Sequence, residues 1–297
     1  MQRRKNTVVS VYRARLQRQI AAAAQAALKD TATTPFYWEV GDATGPLGWG
    51  SVRTPTLDVN STVSFASASK WMFGAYALEK LGSVTAAQRK LLNMSSGYMM
   101  MTSRCLQTET VDQCAVRTNA NAYNATWDGT FFYESGHFQH FADTDLGLGG
   151  KPNGGLSLEY QNVLGLTDVH FSQPLLAGGM FGTPLLYRSL LLKLLNNQLV
   201  LSPLLGQDKI PASGALGVVH SPAPSNERWY YSYGHWVEFD GTCSSGGAWG
   251  FYPWISADKT LYGMVVHNDD PGTSQDDVDL VSVYTGRLIR NAWIKAA

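Results

Sequence analysis

Ser67 and Lys70 stand three residues apart in the run Phe65-Ala66-Ser67-Ala68-Ser69-Lys70-Trp71-Met72. On a helix, that spacing puts a hydroxyl and an amine on one face, a turn apart. An amine withdrawn from water gives up its proton more readily, so it can serve as the base that turns the hydroxyl into a nucleophile. The same spacing recurs at Ser256-Ala257-Asp258-Lys259, and only the flanking residues separate the two. Asp58 to Thr62 is polar and turn-like, Val63 to Ala66 is mostly apolar, and Lys70 to Leu81 is an apolar helical run closed by Gly82, a C-cap residue. Ser67 would therefore open a buried helix, where free N–H groups and the helix dipole favour negative charge. Ser256 to Lys259 lies between Trp254-Ile255 and Thr260 to Val266, which reads as a polar hairpin tip between two strands.

Such a helix needs a scaffold around it. Val11 to Lys29 reads as a helix with an alanine-rich middle, followed by strands at Phe36 to Gly41 and Gly48 to Val52. Residues 64–205 are helical and loop-rich, with helices at Ala86 to Leu92 and Leu185 to Leu195 and a long polar stretch from Thr102 to Gly129. Three strands follow, Trp229 to Phe239, Gly247 to Ile255 and Thr260 to His267. A last amphipathic helix runs from Asp276 to Ile294, with Val278, Leu280, Val281, Val283, Tyr284, Leu288 and Ile289 as its apolar face. This order predicts an α+β fold. Residues 1–60 and 206–297 jointly build an antiparallel sheet flanked by the terminal helices, and residues 61–205 form a mostly helical lobe. The active site would lie in the cleft between them.

The chain has 297 residues, 44% hydrophobic and only 15% charged, with 23 basic against 23 acidic side chains. A core of that size and a net charge of zero argue against a nucleic-acid partner. The cluster Arg3-Arg4-Lys5 is local, no apolar run approaches a membrane span, and Val8-Val9-Ser10-Val11 is too short for a signal peptide. Cys105 and Cys114 bracket a polar loop and could close a small disulfide, leaving Cys243 over. Such a bridge would mean an oxidising compartment, periplasmic or secreted; two inert thiols in a cytoplasm are the alternative. His137-x-x-His140 reads as packing rather than a zinc pair, so no metal and no cofactor are expected.

Five stretches, in order across about residues 36–268, resemble the serine β-lactamase/penicillin-binding-protein superfamily, above all its class C-type branch of esterases and amide hydrolases. They are Ala66-Ser67-Ala68-Ser69-Lys70; Gln88 to Tyr98 (QRKLLNMSSGY); Phe131-Phe132-Tyr133-Glu134-Ser135-Gly136-His137; Ala177 to Pro184 with Leu199 to Pro203; and Tyr233-Gly234-His235-Trp236 with Ser245 to Tyr252. The resemblance implies that Ser67 Oγ forms an acyl-enzyme and that Lys70 and Tyr133 share the general-base work. It implies an oxyanion hole from the backbone N–H groups of Ser67 and Ala248. Ser135, Ser245, Gly246, Gly247, Trp249, Tyr233 and His235 would meet the substrate. Two positions depart from the family pattern. Tyr133-Glu134-Ser135 stands where the family has Tyr-x-Asn, and Ala122-Tyr123-Asn124 offers a competing tyrosine. Ser245 stands where β-lactamases and cell-wall peptidases carry a lysine, which removes the cation that would hold a substrate carboxylate.

These features point to a serine hydrolase for neutral, fairly apolar esters or amides, small or oligomeric. A D-alanyl-D-alanine-type carboxypeptidase or weak β-lactamase is the alternative, and would need its carboxylate-binding cation elsewhere, with Arg188 and Arg228 as candidates. A non-catalytic acylated sensor or binding module is a further alternative, although such a module has no need of Ser67, Lys70 and Tyr133 together. No Gly-x-Ser-x-Gly elbow supports a Ser-His-Asp mechanism. Oligomeric state is not legible.

Overall fold

The computed structural model describes residues 2–29, 35–267 and 275–297. The side chains of residues 2–10 and 275–279, and with them Arg3-Arg4-Lys5, most of the Val8–Val11 run and the expected contact of Val278, lie outside the described set. In chain order the elements are α1 (Gln2–Leu28), β1 (Phe36–Asp42), β2 (Gly45–Val52), β3 (Val63–Ser64), α2 (Ser69–Leu81), α3 (Ala86–Leu92), α4 (Val111–Arg117), α5 (Gly136–Thr144) and α6 (Asn153–Leu164). They continue with β4 (His170–Phe171), β5 (Met180–Gly182), α7 (Pro184–Leu195), β6 (Ile210–Pro211), β7 (Tyr230–Ser232), β8 (His235–Val237), β9 (Cys243–Ser244), β10 (Phe251–Ile255), β11 (Leu261–His267) and α8 (Gln275–Lys295).

The fold is α+β. Eight strands form one antiparallel sheet in the order β2-β1-β11-β10-β9-β8-β7-β6, so both ends of the chain feed it, and β3, β5 and β4 form a small second sheet. Alternation along β10 sorts its side chains between two layers. Phe251 packs against Phe65 and Tyr187 of α7, at ring-centre distances of 4.9 Å each. Tyr252 and Trp254 point the other way, toward Arg290 of α8. On that side α1 packs along α8, and Gly48 leaves room in β2 for Trp293.

Four sequence readings need correction. Trp229 to Phe239 is not one strand but the hairpin β7–β8. Its turn at Tyr233-Gly234 has φ of 44° and 87°, the left-handed pair that a tight hairpin needs. The segment before Phe251 is a turn, with Gly250 N–H donating to Gly247 O at 2.9 Å. The polar stretch 102–129 hides α4, closed at its start by a capping box between Thr110 and Gln113. The buried face of α8 is also more polar than its sequence suggests. Tyr284 and Leu288 are exposed, while Arg287 and Arg290 are buried because Glu227, Glu238 and Asp240 pair with them. Among the described residues, no helix is long and apolar enough to cross a membrane.

Candidate active site

The short β3–β5 pairing delivers the chain to Phe65, whose N–H donates to Met180 O at 3.0 Å. Ala66 then adopts a left-handed φ of 44°, a conformation that costs an L-residue on the order of 1 kcal/mol. It turns the chain into the single 3-10 turn Ala66–Ala68, which leads directly into α2. Ser67 sits half-buried on this turn, and Lys70, one turn on, is 4% exposed. Lys70 Nζ is hydrogen-bonded to Ser67 Oγ at 2.9 Å and to Ala177 O at 3.0 Å. Ser256, by contrast, bonds Asp258 and Leu261 in the turn between β10 and β11, the hairpin tip expected of the rival motif.

Tyr133 arrives on the segment before α5. Its N–H donates to His220 O at 2.9 Å, its ring stacks on Trp236 at 5.1 Å, and the Lys70 amine lies 4.7 Å from its ring centre. From the sheet side, Ser245 Oγ donates to Ser67 O at 3.3 Å. Gly247 crosses the Ser67 turn so closely that a Cβ there would stand 2.2 Å from Phe65 O, an approach only glycine permits. The β7–β8 turn buttresses the other side of α2, where a Cβ on Gly234 would meet Lys70 O at 2.4 Å.

A cavity of about 230 Å³ opens at Ser67. Tyr133, Gly246 and Ala248 bound it together with the apolar groups of Pro222, Ala223, Pro224, Trp229, Trp236, Leu280 and Val283. Among the described residues, neither lysine nor arginine lines it. Behind Trp229 stands Arg287, 5.2 Å from the indole and forked onto Glu227 at 2.9 and 2.8 Å, while Trp229 Nε1 donates to the same carboxylate at 2.6 Å. Burial alone would raise the Glu227 carboxyl, but the bonds from Arg287 and Trp229 hold it below its ordinary range. The pair fixes one wall of the cavity without entering it. Pro222 to Pro224 carried no sequence signal for this place. Leu280 and Val283 did belong to an amphipathic face, yet that pattern alone reads as core.

The other expected substrate residues fall elsewhere. Tyr233 and His235 are buried in the core: Tyr233 OH donates to Asp208 Oδ2 at 2.5 Å. His235 is fully buried, stacked on Trp71 at 5.3 Å, and accepts from Gly206 N–H at 3.1 Å. Burial pushes the His235 imidazole down to about 3. Ser135, Gly247 and Trp249 do not line the cavity; the Ser135 backbone N–H instead donates to its neighbour Glu134. Tyr123 stands in a separate depression with Tyr98, His140 and Lys90. Arg188 is engaged with the buried Glu39, and Arg228 is exposed. Cys105 and Cys114 are joined in a disulfide, with Cα atoms 5.1 Å apart, and Cys243 is free and buried. Among the described residues, one cluster has metal-ligand geometry, Cys105, Glu109 and Cys114, but its sulfurs are spent on each other and Glu109 on Arg117. His137 and His140 face different partners, Ser96 and Asn121.

The eight-stranded sheet, the helices around it and the Ser67–Lys70 turn define a protein with the fold of serine β-lactamases and penicillin-binding proteins. Among solved structures it is similar to a putative β-lactamase from Bacteroides dorei, with a TM-score of 0.64 at 20% identity over 88% of this chain and 93% of that one. It is likewise similar to EstCE1, a hydrolase with promiscuous acyltransferase activity (TM-score 0.65, 12% identity, 93% and 99% covered). A penicillin-binding-protein homologue from Caulobacter crescentus gives 0.67 at 12% identity, covering 92% and 97%. No family model and no curated protein matches the sequence.

Proposed function

We propose that the chain is a serine hydrolase that forms an acyl-enzyme on Ser67, with Lys70 and Tyr133 as the base. The observation that carries this reading is the 2.9 Å contact between Lys70 Nζ and Ser67 Oγ at the mouth of a cavity. Lys70, or the Tyr133 phenolate beside it, accepts the Ser67 proton as Oγ attacks the acyl carbon. The Ser67 and Ala248 N–H groups receive the negative charge that builds on the carbonyl oxygen. The proton then passes to the leaving alcohol, and water repeats the sequence to release the acid. Pro222, Trp229, Trp236, Leu280 and Val283 favour a neutral apolar acyl group. A carboxylate substrate is disfavoured, because Ser245 offers a hydroxyl where a cation would be needed. Esters suit the site better than amides, whose leaving nitrogen needs stronger protonation.

A second reading, acyl transfer to an alcohol, is favoured by the same apolar lining, since a hydrophobic acceptor partitions into such a cavity more readily than water does. The likeness to a hydrolase with promiscuous acyltransferase activity agrees with it. Intact-mass analysis after exposure to a fluorophosphonate tests both readings at their common step. One adduct located at Ser67, and its absence in Ser67→Ala, is expected. An adduct elsewhere, or p-nitrophenyl butyrate turnover that survives Ser67→Ala, ends the proposal. Adding a long-chain alcohol then separates ester product from free acid.

A further inference from the structure

Helix α5 begins three residues after Tyr133, and its two fully buried polar side chains, His137 and Gln139, serve different neighbours. Two positions apart, they project about 200° from each other around the helix. His137 Nε2 lies 3.0 Å from Phe132 O. A carbonyl can only accept, so Nε2 carries the proton and Nδ1 accepts from Ser96 Oγ at 2.7 Å. Burial pushes this imidazole down to about 4, so it is neutral at pH 7. The residue before Tyr133 is thus held on both sides, its N–H by Met94 O at 2.9 Å and its carbonyl by His137.

Gln139 works in the other direction. Its amide nitrogen donates to Val111 O at 3.2 Å and Pro174 O at 3.0 Å, and its oxygen accepts from Leu176 N–H at 3.4 Å. Pro174 and Leu176 belong to the loop that ends at Ala177, whose carbonyl takes the Lys70 amine. Gly178 and Gly179 close that loop by donating to Leu175 O at 3.2 and 2.7 Å.

We propose that His137 and Gln139 are positioning residues, which set the Tyr133 ring through the Phe132 carbonyl and the Lys70 amine through the 174–177 loop. One rigid turn of α5 would then fix the two basic groups relative to each other at Ser67. This rests on the reading of Ser67 as nucleophile. A displacement of under an ångström in either group is enough to slow proton transfer, while the cavity that receives the acyl group is lined by other residues.

The test compares the rate of fluorophosphonate labelling at Ser67, and kcat and KM for p-nitrophenyl butyrate, in Gln139→Met, His137→Phe and the control Thr118→Val. Thr118 is also fully buried, but its hydroxyl bonds only Cys114 O of the adjoining α4. Labelling and kcat are expected to fall roughly tenfold or more in the α5 variants, with KM within about twofold. Thr118→Val should lower the melting temperature and leave labelling unchanged. Should either α5 variant fail to fold, Ser96→Ala, which frees the His137 tautomer at the cost of one further bond from Tyr98 N–H, and Gln139→Glu, which keeps the shape but cannot donate to two carbonyls, take their places. Labelling within twofold of the native rate in folded variants, or an equal loss in Thr118→Val, overturns the proposal. A native protein that is not labelled at Ser67 refutes the nucleophile reading instead, a result visible before any α5 variant is made.

Discussion

The Lys70 amine lies 4.7 Å from the centre of the Tyr133 ring while also bonded to Ser67 Oγ. The two groups are far apart in sequence, Lys70 buried and Tyr133 half-buried at the cavity. In the proposed mechanism they act as one base and should not be separable. Lys70→Ala and Tyr133→Phe are each expected to lower kcat/KM for p-nitrophenyl butyrate by at least roughly a hundredfold. The double variant should lose little beyond the worse single one, because removing either breaks the same unit. Losses that multiply would show two independent roles.

The cavity is small and Val283 stands on its wall. Val283→Phe fills space that a longer acyl chain would use, at a scale of about 1–3 kcal/mol per displaced methylene. The butyrate-to-acetate ratio of kcat/KM should therefore fall roughly tenfold or more. An unchanged ratio would move the acyl group out of this cavity.

Gly247 and Gly246 make a contrasting pair. A Cβ on Gly247 meets Phe65 O at 2.2 Å, whereas one on Gly246 finds nothing nearer than Val283 Cγ2 at 3.9 Å. Gly247→Ala must push the β9–β10 segment off the Ser67 turn, a loss of about 2–3 kcal/mol by chemical denaturation. Gly246→Ala should hold its stability within about 0.5 kcal/mol. Equal stabilities for the two would contradict the close crossing.

His235 gives the protein an acid-sensitive core. Its folded imidazole titrates at about 3, below the ordinary 6.5, because burial penalises the charged form. The unfolded chain thus binds the extra proton first, and stability declines as pH falls from 6.5 toward 3, by at most about 1.4 kcal/mol per pH unit. Urea midpoints across that range should decline less steeply in His235→Phe, the remaining slope coming from His137, whose buried imidazole is also pushed down, to about 4. A native-like slope in the variant would assign the acid sensitivity to other groups.

The Cys105–Cys114 bridge closes a short loop that runs into α4. Removing it in Cys105→Ala/Cys114→Ala should cost about 2–3 kcal/mol, the loop entropy returned to the unfolded chain. Calorimetry with and without reductant checks this, since reductant should lower the native melting temperature and leave the variant's unchanged.

Where a sequence pattern was local, it translated into structure. The helix that follows Ser67 and ends before Gly82, the strands β1, β2 and β11 and the hairpin tip at Ser256 to Lys259 all follow from spacing and turn chemistry within a dozen residues. Reading Trp229 to Phe239 as one strand failed because Tyr233, an aromatic of high strand propensity, takes φ 44°. Its hydroxyl is anchored on Asp208 and its N–H on Asn93, and tertiary bonds override propensity at such a position. Ser135 and Trp249, expected at the substrate from motif position, are not among the residues that line the Ser67 cavity.

From the sequence alone came the nucleophile candidate, its neighbouring amine, the α+β order and the pair of cysteines near enough in the chain to join, because each depends on contacts between residues close in sequence. Only the tertiary structure decided that Tyr133 rather than Tyr123 stands beside Lys70, that Ala177 O shares the amine, and that a proline segment and α8 wall the cavity. Those relationships join residues tens to hundreds of positions apart. They are set by how whole elements pack, and no local pattern encodes that.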